Sequence, residues 1–141
     1  MHFKDEKMNR IKQRVQILLL TFEKSFHEEP LSEIIEMAEQ VRDLETDEFI
    51  RSSVIGIYEN IEQIDLMITE HLIGWKLNRV SKVSLAILRI AVYEMLYCED
   101  IPISVSINEA VELAKTYCGD EDPSYINGVL GAISKKINRD E

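Results

Sequence analysis

Between Ser81 and Tyr97 the chain is apolar on almost every side that a helix would present: Val83, Leu85, Ala86, Ile87, Leu88, Ile90, Ala91, Val92, Met95 and Leu96. The run shows no strict alternation, so it reads as a helix. A helix apolar all round must be covered by other elements on several sides, which places this one at the centre of its half of the molecule. Arg89 and Glu94 interrupt it, and no stretch approaches the roughly 18 uninterrupted apolar residues of a membrane span. A chain of 141 residues, 45% hydrophobic, suits one domain with a substantial core.

The flanking segments supply the cover. Met8, Ile11, Val15, Leu18, Leu19, Phe22 and Phe26 recur at spacings of three and four and predict a first helix from about Lys7 to Phe26. Lys7, Arg10 and Arg14 share an adjoining face. Pro30 suits a first helical position, followed by Leu31, Ile34, Ile35 and Ala38. A longer third helix, capped by Thr46, is predicted from Ile50, Val54, Ile57, Ile61, Ile64 and Ile68, a 4-3-4-3-4 seam. Gly74 to Arg79 reads as a connector between two helical halves, about 1–73 and 74–141. Beyond Pro102, Ser106 and Glu109 match a capping box ahead of Ile107, Ala110, Val111, Ala114 and Cys118. Asp122-Pro123 opens a last helix lined by Ile126, Val129, Leu130, Ile133 and Ile137, with Gly128 and Gly131 inside it, where a close helix contact or an approaching ligand would explain them. The expected fold class is all-α.

Charge narrows the function. The formal net charge is −10, but residues 1–22 carry a net +3, residues 23–70 a net −11 and residues 71–141 a net −2. The acidic middle repels phosphate, so a non-specific nucleic-acid binder is not expected. A local basic patch at the N-terminus remains. His2, His27 and His71 are scattered, and Cys98 and Cys118 lack metal-ligand spacing, so no metal and no cofactor are expected. No nucleophile elbow or phosphate-cradling glycine loop occurs, and the chain reads as a non-enzyme. Met1 to Glu6 lacks the apolar core of a signal peptide, which points to the cytoplasm.

Three linked motifs carry a resemblance. Leu85 to Glu94 reads LAILRIAVYE. Ile101-Pro102 is followed by INEAVELAK at Ile107 to Lys115, and YINGVL occupies Tyr125 to Leu130. In order, spacing and wording these resemble the transcription antitermination factor NusB family, and the match includes His71-Leu72 and Trp75. The resemblance implies two packed helical subdomains with about seven helices. It implies a factor that pairs with NusE, a small-subunit ribosomal protein, binds the boxA element of nascent RNA and acts within the transcribing RNA polymerase complex, notably on ribosomal RNA operons. No membrane partner is implied, and a homodimer is left open.

Carried onto this sequence, the RNA-contacting residues would be Lys7, Arg10, Arg14, Ser124 and Tyr125, with Tyr125 stacking on an unpaired base. Ser84 and Tyr93 would face NusE. Asn108 and Glu109 would start and cap a helix, and Asn127-Gly128 would let helices approach. The chain departs from the family pattern in a thinner N-terminal arginine cluster, in Leu19 where a tyrosine is usual, in Ser84 where a glutamate is usual, in Ser124 where a cation is common, and in the acidic loop Asp120-Glu121-Asp122. These departures define an alternative, an interaction module of the same fold with weakened or lost RNA binding.

Overall fold

The computed structural model describes residues 9–41, 46–72, 74 and 77–137. Among them are seven α-helices, a 3₁₀ turn at Leu77–Arg79 and no strand. The helices are α1 (Arg10–Lys24), α2 (Leu31–Val41), α3 (Glu48–Glu59), α4 (Ile61–Thr69), α5 (Lys82–Tyr97), α6 (Ile103–Tyr117) and α7 (Asp122–Ser134). Lys7, and Trp75 and Lys76 of the expected connector, lie outside the described residues.

The apolar helix is the hub. α5 packs against α1, α3 and α4 from the first half and against α6 and α7 from the second. Ile87, Leu88, Val92 and Met95 are completely buried, within one core cluster that draws on both halves. Ser81 starts the helix, its hydroxyl accepting from the Ser84 amide at 3.2 Å. Gly74, in the connector, has a φ of 74°, a left-handed conformation that glycine adopts at no steric cost.

Four local features differ from the sequence expectation. The isoleucine seam is split between two helices at Asn60, whose side-chain amide donates to the Gly56 carbonyl at 2.8 Å. Ile50, Val54, Ile57, Ile64 and Ile68 still all face the core, because the hydrophobic period runs through the break. Asp47, not Thr46, caps α3: its carboxylate accepts from the Ile50 amide at 2.9 Å, while the Thr46 hydroxyl donates to Glu39. The capping box at Ser106 and Glu109 does not form. α6 begins four residues earlier, directly after Pro102, and the Ser106 hydroxyl donates to Glu94 at 2.7 Å. Finally, α1 is turned about its axis. It buries Gln13, Arg14, Ile17, Leu18, Leu20 and Thr21, and leaves Ile11 60% exposed with Leu19 and Phe26 also outward. The helix carries apolar residues on two faces, and the polar partners of Gln13 and Arg14 decide which one turns inward.

Candidate nucleic-acid interface

The N-terminal cations are held quite differently from one another. Arg14 is 4% exposed. Its Nε and Nη2 donate to the two oxygens of Glu94 at 2.8 and 3.1 Å, and Ser106 adds a third hydrogen bond to the same carboxylate. This bidentate pair joins α1, α5 and the start of α6 inside the protein. Arg14 is therefore not available to phosphate, which corrects its assignment to the RNA surface. A charge buried here without its partner would be strongly destabilising. Arg10 is exposed, but organised: it donates to Gln13 at 2.6 Å, and its guanidinium lies 3.6 Å from the centre of the Phe49 ring. Gln13 in turn donates to Asp47 at 2.7 Å. Arg10 thus stands over the N-terminal end of α3 with its outer face towards solvent.

Ser84 and Tyr93 also prove to be inward residues. Ser84 is 3% exposed and lies 3.5 Å from the Cys118 sulfur, so it packs α5 on α6 rather than facing a partner. Burial pushes the Cys118 thiol up from its ordinary pKa. Tyr93 is half-buried, with its ring over Gly56, where a methyl group would lie 2.6 Å from it. The close crossing of α3 and α5 therefore depends on Gly56, a contact that no sequence motif marks. Burial pushes the Tyr93 phenol up to about 12. Tyr125 is half-buried against the core with its hydroxyl shielded from water, so only part of its ring is open for stacking.

Three of the sequence-selected residues do come together. Asn108 of α6 and Ser124 and Asn127 of α7 line one open groove of about 730 Å³, with Ile107, Val111 and Pro123 as its apolar surface and Lys115 and Asp120 at its edge. Asn108 is the sixth residue of α6 and caps nothing, and Glu109 follows it inside the helix. Gly128 does not bring two helices together: no atom lies within 4 Å of where its β-carbon would be. Of these four residues, Asn108 and Asn127 instead line the exposed groove. Glu94 and Arg89 are the ion-paired charges that sequence reasoning left without a partner. Each is a lone charge in an apolar helix, and that was the available signal for a buried partner. Arg89 makes a bidentate pair with Asp65 of α4 at 2.9 and 2.8 Å.

The sequence pattern of the NusB family matches residues 6–135 of this chain. The chain belongs to the NusB family. It is similar to the transcription antitermination protein NusB of Clostridium perfringens, with 43% identity over 134 residues covering 92% of this chain and 99% of that protein. Among solved structures it is similar to T. maritima NusB, with a TM-score of 0.83, 36% identity and 93% and 94% of the two chains covered. A NusB in a complex of NusB and NusE with double-stranded RNA shares the fold, at a TM-score of 0.79 and 23% identity over 92% of this chain and 99% of that one. In this chain Asn108, Ser124 and Asn127 come to one surface, and Arg14 and Ser84 lie in the interior. No described helix is long and apolar enough to cross a membrane.

Proposed function

We propose that this chain is a cytoplasmic, non-enzymatic transcription antitermination factor that binds boxA-type RNA together with NusE, within the transcribing polymerase complex and notably on ribosomal RNA operons. The observation that carries the reading is the family match over residues 6–135, with 43% identity to an antitermination protein across nearly its whole length. The charge distribution supports a shared RNA site. Arg14 is withdrawn into the core, and the basic N-terminus adjoins a segment with a net charge of −11. Phosphate attraction on this chain alone is local and shallow, each neutralised phosphate of a single strand contributing a salt slope of only about −0.7. A basic partner supplies the rest, and an RNA held by two linked surfaces binds more tightly than by either. Arg10 and Lys7 are the cations assigned to phosphate, and the open part of the Tyr125 ring to base stacking.

A second reading, the interaction module without RNA binding, draws on the burial of Arg14 and of the Tyr125 hydroxyl. One titration separates the two. Labelled boxA RNA and a scrambled control are titrated with the chain, with NusE and with both. Weak binding by the chain alone, strengthened by NusE and selective for boxA, supports the proposal. An equal response to both RNAs in the presence of NusE supports the interaction module instead. Arg10→Ala is expected to lower the magnitude of the salt slope of the pair by about 0.7.

A further inference from the structure

We infer that the groove between α6 and α7 holds one unpaired RNA base, and that Asn108 and Asn127 hold its hydrogen-bonding edge. This rests on the RNA-binding reading above and extends it by naming a subsite and its chemistry. The two amides come from different helices, both are exposed, and neither has a side-chain hydrogen-bond partner among the described residues. Their positions are not explained by capping or by helix contact. Polar side chains without partners, grouped over an apolar floor, make a site that fixes the orientation of a flat, partly apolar ligand.

The groove's own charges select a base over a phosphate. Among the described residues its cation is Lys115, paired with Glu112 at 2.9 Å, and Asp120 lines the same groove. A phosphate placed there would meet a neutralised lysine and a carboxylate. A nucleobase would lay its face on Ile107, Val111 and Pro123 and turn its edge to the amides. Each asparagine offers an acceptor beside a donor, which complements an exocyclic amine beside a ring nitrogen. Adenine presents that pattern at N6 and N7, where asparagine pairs bidentately in a duplex groove, and unpaired cytosine presents it at N4 and N3. Ser124, Asn127, Gly128 and Gly131 follow one another at helical spacing, and the space over both glycines is empty of protein atoms. The α7 backbone is therefore bare beside the groove, and a nucleotide can approach it closely.

The test uses the full chain with NusE and a boxA-type RNA in which single nucleotides are replaced in turn by abasic sites. Asn108→Ala and Asn127→Ala are each expected to weaken binding of the intact RNA about tenfold, with an unchanged salt slope. At one nucleotide position the abasic RNA should bind the wild-type pair correspondingly weakly, and on that RNA neither variant should lose anything further. Both side chains are exposed, so circular dichroism spectra matching wild type are expected. Wild-type-like affinity of both variants, while the wild-type pair still prefers boxA, overturns the groove and leaves the RNA reading standing. A loss that persists on every abasic RNA also overturns it, because the amides would then not be reading a base. Absence of any boxA preference in the wild-type pair overturns both.

Discussion

Arg14 offers the sharpest test of how the two halves are joined. It and Glu94 are both nearly inaccessible, held by two hydrogen bonds of 2.8 and 3.1 Å, with the Ser106 hydroxyl as a further donor to the carboxylate. In Arg14→Ala the Glu94 carboxylate stays in the core with one hydroxyl for company. Removing one partner of such a pair is expected to cost about 3–5 kcal/mol. That is a large share of the roughly 5–15 kcal/mol of a typical domain, and it lowers the melting temperature on the order of 10 °C. Urea titration followed by circular dichroism measures it. The double variant Arg14→Met with Glu94→Leu removes both charges and should recover most of the loss, since apolar replacements of a buried pair are often neutral or stabilising. A loss below about 1 kcal/mol in Arg14→Ala would refute the buried clamp and return Arg14 to the surface. The residual folded Arg14→Ala protein is also expected to bind RNA with NusE at an unchanged salt slope.

The remaining predictions follow from packing. Leu88→Ala, in the completely buried centre of α5, should lose about 2–5 kcal/mol on denaturant titration through transfer energy and a cavity. Gly56→Ala sets a methyl group 2.6 Å from the Tyr93 ring and should destabilise by about 1–3 kcal/mol, with Tyr93→Leu in the same chain restoring part of it. Gly128→Ala meets no atom within 4 Å and should instead raise stability by about 0.5–1 kcal/mol, read as a higher thermal midpoint.

Much of this architecture was legible in the sequence because burial writes itself into hydrophobic spacing. The all-round apolar α5 announced a central helix, and Leu88 is buried as its surroundings required. What spacing cannot carry is a break that preserves the period. The seam from Ile50 to Ile68 stays on one face through Asn60, so two helices read as one. Nor does it rank two apolar faces on one helix: the rotation of α1 follows from the hydrogen bonds of Gln13 and Arg14 with residues 34 and 80 positions away. Ser106 shows how a local signal is overridden. It matches a capping box, but a buried carboxylate from α5 takes its hydroxyl, and Pro102 starts the helix earlier. The groove was visible only as motif residues. That Asn108 and Asn127 line one groove depends on how α6 packs against α7, which neither helix records alone.

The central claim is antitermination through boxA RNA and NusE, and readthrough in a reconstituted transcription reaction tests it most directly. Polymerase with the accessory factors is run on a template carrying a boxA upstream of a terminator, with and without this chain, and on a matched template with boxA scrambled. The account predicts that adding the chain raises readthrough on the boxA template, only when NusE is present, and leaves the scrambled template unchanged. Equal readthrough on the two templates, or an effect that does not require NusE, would contradict it.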